Sequence, residues 1–180
     1  MIGLGIWTVE EPRIADAAAL SAMAQQSFCE TFAHMNYPPD DLSQFLSEAM
    51  GAARYAAQIA DPGFVLRVAK DGDGRIIGFI KLGPNELPLP LGEDESDKIL
   101  ELHQLYLLGE AKGTGVADAL MAWLLGEALA RGALALTLSV FIENHRARAF
   151  YARHGFTEIG KNPFRIGSVV DDDRVWKLVL

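Results

Sequence analysis

Cysteine is almost missing from this chain: its 180 residues include one, Cys29. That excludes a disulfide framework and any cysteine-based zinc spacing. Long apolar runs are also missing. Hydrophobic residues make up 50% of the chain, yet polar residues interrupt every stretch before it could span a bilayer. A signal-like segment, basic and then apolar, is lacking too, so the expected compartment is the cytoplasm. Positive charge is in deficit, with 16 Lys and Arg against 24 Asp and Glu and a net charge of −8. A nucleic-acid binder carries a basic stripe, so that class is set aside. The plain reading of the acidic balance is a solubilising surface; attraction of cationic acceptors is the sharper alternative. Repeats, low-complexity tracts and linkers are absent as well. One domain over residues 1–180, large enough to bury its own core, is expected.

What is present alternates between helical and strand patterns. Residues 6–10 read as an edge strand and 13–30 as an alanine-rich helix with apolar positions at Ile14, Ala18, Ala22 and Phe28. After the Tyr37-Pro38-Pro39 loop, Asp40 or Asp41 can cap a helix over 42–50. A short helix over 52–59 stops before Asp61-Pro62-Gly63. Strands over 64–70 and 75–82 flank Asp71-Gly72-Asp73-Gly74, a hairpin signal. The proline-interrupted loop 84–97 carries an acidic run, Glu93, Asp94, Glu95 and Asp97, read as a solvated loop. The central strand spans 99–108. Alternation assigns Glu101, His103, Leu105 and Leu107 to one face, and Leu100, Leu102, Gln104 and Tyr106 to the other. A helix beginning near Thr114 has Val116, Leu120, Trp123 and Leu124 as its buried stripe and ends at Gly132. Leu134, Leu136, Leu138 and Val140 alternate as another strand. Asn144 caps a helix over 147–154 that Gly155 closes, and 156–160 and 174–180 are the last strands.

The stretch around which the chain is organised is Lys112-Gly113-Thr114-Gly115-Val116-Ala117. Two glycines between strand and helix allow a tight turn and a close approach of a ligand to the backbone. The first amides of the following helix lack intrahelical partners and add to the positive end of its dipole. With Lys112 at the same mouth, this is a place for a diphosphate.

Strand, glycine turn, helix, strand, Asn-capped helix and Gly-Phe, in this order, resemble the GNAT acetyltransferases. The turn of that family reads Gln/Arg-x-x-Gly-x-Gly/Ala, and Lys112 to Ala117 fits with Lys in first place and Ala in last. Lys112 keeps the charge but not the planar fork of arginine. Leu138 to Asn144, Ala147, Phe150-Tyr151 and Gly155-Phe156 fit the second half. The resemblance implies a mixed α/β (α+β) fold: a central, mixed but mostly antiparallel sheet of about seven strands, flanked by four or five helices. It implies transfer of the acetyl group of acetyl-CoA to a primary amine, with no metal. Ser27 to Phe32 with Tyr37, Leu105 to Leu107, and Phe164 to Gly167 are similar to PaiA-type polyamine acetyltransferases. The expected partner is therefore a small-molecule amine such as a polyamine, with neither nucleic acid nor membrane, and a homodimer is compatible. The alternatives are acetylation of a protein N-terminus or lysine, or a non-catalytic acyl-CoA sensor of the same fold.

Acetyl transfer needs a base for the amine, stabilisation of the carbonyl oxygen and an acid for the thiolate. Glu101 and His103 are the candidate bases. Histidine's ordinary pKa suits neutral pH, whereas Glu101 needs a raised pKa or a water relay. Their plainer roles are a charge pair and a satisfied core histidine. The resemblance makes Tyr151 the acid and Asn144 a partner of the pantetheine arm; a packed aromatic and a simple cap are the plain alternatives. It also assigns cofactor contacts to the backbone of Leu105, Tyr106 and Leu107, and to the turn residues Lys112, Gly113, Thr114, Gly115, Val116 and Ala117. Arg146 and Arg148 are within range of a ribose phosphate or simply solvated. Phe28, Phe32 and Tyr37 are candidates for the acceptor side, against a core role. Cys29 reads as a small core residue rather than a nucleophile, having no evident histidine partner.

Overall fold

A computed structural model describes residues 6–90 and 98–180. The acidic run of residues 93–97 lies outside them. Seven strands form one sheet in the order β1-β2-β3-β4-β5-β9-β6. They are β1 (Thr8–Glu10), β2 (Val65–Lys70), β3 (Ile76–Pro84), β4 (Ile99–Leu107), β5 (Ala135–Phe141), β6 (Thr157–Lys161) and β9 (Asp173–Val179). Every neighbouring pair is antiparallel except β4 and β5. Between β6 and β9 lies a separate two-stranded hairpin, β7 (Phe164–Ile166) and β8 (Val169–Asp171). The sequence pattern showed no strands there, because three-residue strands are too short for alternation to register.

Five α-helices are present among the described residues: α1 (Ala17–Phe32), α2 (Pro39–Met50), α3 (Ala52–Ala60), α4 (Val116–Ala130) and α5 (His145–Arg153). Two apolar clusters result. One packs α4 and α5 with Leu102, Leu107, Leu136, Leu138 and Trp176. The other packs α1, α2 and α3 with Leu66, Val68, Phe79 and Leu108. A sheet with helices over both faces buries side chains on both sides, so β3 reads as a continuous apolar run, Ile76 to Leu82, broken only by Gly78 and Lys81.

Local expectations shift in several places. In α1 the buried stripe is Ala17, Leu20, Ser21, Met23, Ala24, Ser27 and Phe28. Ala18 and Ala22 face solvent, and Ile14 precedes the helix, exposed, in a short 3-10 turn. Alanine fits either face, so an alanine-rich helix does not announce its inner side. Asp40 and Asp41 do not cap α2. They sit inside its first turn after Pro38-Pro39, where their charge complements the helix dipole. Helix α4 begins at Val116, two residues later than expected, because Gly115 adopts φ 89° and stands outside the helix as its cap. Leu134 lies just before β5 and is exposed.

The largest departure is in β4. Lys81 pairs with Gln104, but Leu82 pairs with Leu102, so His103 is an extra residue in the ladder. A bulge of this kind reverses the parity of the strand. Leu100, Leu102, Leu105 and Leu107 therefore all pack toward the α4 cluster, and Tyr106 toward the α1 cluster. Glu101 does not share a face with Leu105 and Leu107 as strict alternation predicted.

Candidate active site

Strands β4 and β5 pair only at Ile99 with Ala135, Leu100 with Leu136, and Glu101 with Thr137. Beyond Glu101 they part. A cleft of about 610 Å³ opens there, lined by β4 from Glu101 to Leu107, by Ser139 to Phe141 of β5, and by residues of α1, α4 and α5.

At one end lies the glycine turn. Gly113 and Gly115 take φ 83° and 89°, the left-handed region that residues with a Cβ avoid. The first intrahelical bond of α4 runs from the Ala119 amide to the Gly115 carbonyl at 3.0 Å. The amides of Val116, Ala117 and Asp118 have no intrahelical acceptor. Lys112, Gly113, Gly115 and Ala117 line the cleft, as do Arg146 and Arg153. Thr114 instead donates its hydroxyl to the Ala111 carbonyl at 2.7 Å, and the Val116 side chain is fully buried. Neither of these two is among the residues that line the cleft. Arg148 is directed elsewhere: its guanidinium donates to the Ile142 carbonyl at 2.8 Å, approaches Glu158 and lies over Trp176. Asn144 lines the cleft and caps α5, accepting from the Ala147 amide at 3.2 Å.

At the middle stand the titratable groups. The Glu101 carboxylate accepts the Glu86 amide at 2.8 Å, and its other oxygen lies 3.3 Å from Nδ1 of His103. Nε2 of His103 is 2.9 Å from the Pro84 carbonyl oxygen, so that nitrogen carries the proton and donates. Nδ1 of the neutral ring then presents a lone pair to Glu101, and the pair shares a proton whenever the carboxyl is protonated. Burial raises Glu101 to about 7. Burial, with Lys81 nearby, lowers His103 to about 4. Gly83 makes this packing feasible. A Cβ there would stand 2.5 Å from the Phe64 ring and 3.0 Å from His103 Nε2. Tyr151 is 8% exposed and lines the cleft between Phe150 and Phe156. Burial pushes its phenol above the ordinary tyrosine value. Leu105, Tyr106 and Leu107 line the same opening, the Leu107 carbonyl accepting from the Ser27 hydroxyl at 2.9 Å.

The other end is aromatic and acidic. Phe28, Phe32 and Tyr37 line it beside Phe45 and Phe164. Cys29 is half-buried on α1 and is not part of the lining.

The chain matches the model of the acetyltransferase (GNAT) family over residues 24–156. It is 34% identical over 160 residues to uncharacterised N-acetyltransferases of Mycobacterium tuberculosis and Mycobacterium bovis, covering 89% of this chain and 95% of theirs. The chain belongs to the GNAT acetyltransferase family. Its fold matches the PaiA N-acetyltransferase of Thermoplasma acidophilum, whose crystal structure holds coenzyme A, with a TM-score of 0.76 at 20% identity over 97% of this chain and 99% of that one. It also matches a ribosomal-protein-alanine N-acetyltransferase of Brucella melitensis, with a TM-score of 0.72 at 23% identity over 96% and 99%. At such identities these two likenesses establish the fold.

This GNAT protein is thus an acyltransferase with acetyl-CoA as co-substrate. Its residues fit that molecule on physical grounds. An open glycine turn with unpartnered helix amides and three cations suits a diphosphate. The parted edges of β4 and β5 leave backbone groups for an extended amide-bearing arm.

Sequence reading missed three site residues. Lys81 is 5% exposed, donates to Gln58 at 3.1 Å and lines the cleft. Burial, with Arg54 nearby, lowers it to about 8. Its signal was a lone lysine inside an apolar strand. Asp171 and Asp173 also line the cleft, and their signal, an acidic triplet before the last strand, is the ordinary signature of a turn.

Proposed function

We propose that this GNAT acetyltransferase acetylates a primary amine of a small molecule, a polyamine being the representative acceptor. One juxtaposition carries the reading: the buried Tyr151 phenol and the buried Glu101, with His103 beside it, line the same cleft where β4 and β5 part. Acetyl-CoA, when bound, supplies an activated acyl group and a thiolate that must leave. Lys112, Arg146, Arg153 and the first amides of α4 would hold its phosphates, and the β4 edge from Leu105 to Leu107 its pantetheine arm.

Glu101 is the base. With its carboxyl raised to about 7, a large share is ionised at neutral pH while its affinity for a proton is well above that of an ordinary glutamate. His103, lowered to about 4, is a poor proton acceptor. Its Nδ1 accepts from the Glu101 carboxyl when that carboxyl is protonated and turns a lone pair toward it when it is ionised, which adds to the carboxyl's affinity for a proton. Tyr151 is the acid. Its raised pKa keeps the hydroxyl protonated, so that it holds a proton to donate to the departing thiolate. Confinement of both substrates in one cleft contributes orientation.

A thiol-release assay with acetyl-CoA against polyamines, amino acids, aminoglycosides and short peptides tests this. Saturable turnover with small amines is the expected result. Turnover with peptides alone would favour a protein N-terminus or lysine. No turnover with any amine, with acetyl-CoA still raising the melting temperature, would favour a non-catalytic sensor.

A further inference from the structure

The acidic end of the cleft has a feature that packing leaves unexplained. Asp171, at the end of β8, is 3% exposed. Its Oδ2 accepts the hydroxyl proton of Tyr37. Its Oδ1 is buried and, among the described residues, has no hydrogen-bond partner. Asp173, at the start of β9, approaches the Ser139 hydroxyl at 3.3 Å, and that hydroxyl accepts from Asn162 at 3.2 Å. All five residues line the cleft. Arg174, the adjacent cation, is turned away to Asp172 at 2.7 Å and to Glu158 at 3.1 Å. None of the ion pairs among the described residues involves Asp171 or Asp173.

Buried acceptors are nearly always satisfied, so an orphan oxygen on a carboxylate that lines the cleft points to a donor from outside. Two adjacent carboxylates exclude an anion and favour a cation. Burial and the neighbouring Asp171 raise Asp173 to about 6, which fits a pair that lacks its counter-charge. The walls fit an organic cation rather than a hydrated ion. Phe28 stacks on Tyr37 at 6.2 Å between ring centres, Phe45 lies 5.2 Å from Phe28, and Phe164 lies 5.5 Å from Phe45. Such rings pack against methylene chains and attract ammonium groups.

We propose that Asp171 and Asp173, with Tyr37, form a subsite for a second, non-reacting ammonium, so that the enzyme selects acceptors with two amines joined by an apolar spacer. This rests on the amine-acetylation reading given above. Carboxylates stabilise the protonated form of an amine. An amine at Asp171 and Asp173 is therefore held as ammonium and is a poor nucleophile. The reacting amine belongs at the middle of the cleft, where Glu101 accepts a proton and the buried Lys81 disfavours a second positive charge.

The test compares α,ω-diaminoalkanes with n-alkylamines of the same length. The parent protein is expected to favour the diamine by ~10-fold or more in kcat/KM, chiefly through KM, a difference of about 1.4 kcal/mol. Asp171→Asn and Asp173→Asn should each lower kcat/KM for the diamine far more than for the monoamine and so erase that preference. Equal rates for both amines in the parent, or equal losses for both in the variants, would overturn the proposal. A permethylated diammonium, which cannot be acetylated, provides a second readout on the parent alone. It should raise the melting temperature and compete with the alkylamine, and the singly charged analogue should do neither. If no amine is acetylated, the amine-acetylation reading fails by itself. In that case, stabilisation by the diammonium that is lost in Asp173→Asn would still support the subsite, and its absence in the parent would overturn it.

Discussion

Tyr151 and Glu101 are shifted in the same direction by the same cause. Burial disfavours the ionised form of each, so the phenol keeps its proton and the carboxyl gains affinity for one. Tyr151→Phe keeps the ring and removes the hydroxyl. We expect kcat to fall by ~100-fold or more with the acetyl-CoA Kd unchanged; equal losses of binding and turnover would indicate packing. The base must be ionised to act, so kcat/KM should rise with pH through about 7, where Glu101 titrates. Glu101→Gln should remove that acid limb along with most of the rate. If the limb persisted in the variant, another group would be the base. His103→Gln should leave a limb but move it, since the ring acts on the position and proton affinity of Glu101.

The strand-to-helix turn makes its demand on backbone shape. Gly115→Ala places a Cβ on a left-handed residue, at a cost of about 1–2 kcal/mol. The melting temperature should drop by several degrees, and the KM for acetyl-CoA should rise as the first amides of α4 shift. A melting temperature equal to the parent's would show that the turn tolerates the change. Asn144→Ala removes the bond to the Ala147 amide and should cost about 1 kcal/mol by thermal or urea unfolding. At this scale the sequence was legible wherever glycine, asparagine or strict periodicity marked a boundary. The glycine turn, the Asn144 cap, the central strand and the order of strands and helices were all readable. The bulge at His103 was missed, although its mark is there: Leu100 and Leu102 fall out of step with Leu105 and Leu107 across the polar pair His103-Gln104. The inner side of α1 was hidden by alanines, and the β7–β8 hairpin by its brevity. The acidic lining was hidden for a different reason. Asp171 and Asp173 become remarkable only when folding brings Tyr37, far off in sequence, against them.

Across the whole molecule, charge is unevenly shared. A chain of net charge −8 lines one cleft with Lys112, Arg146 and Arg153 as well as with Asp171 and Asp173. Acetyl-CoA affinity should therefore weaken as salt rises toward ~1 M, where the screening length shrinks to about 3 Å. An affinity insensitive to salt would mean that these cations do not meet the phosphates. The parting of β4 and β5 has a mechanical side as well. Strands β1 to β4 and strands β5, β9 and β6 are two rafts, consecutive in the chain, moored by three rungs from Ile99 to Glu101. Any ligand lodged in the gap lashes one raft to the other. Amide hydrogen exchange in the free protein should release the two rafts at separable rates, and acetyl-CoA should slow both together, turning two cooperative units into one.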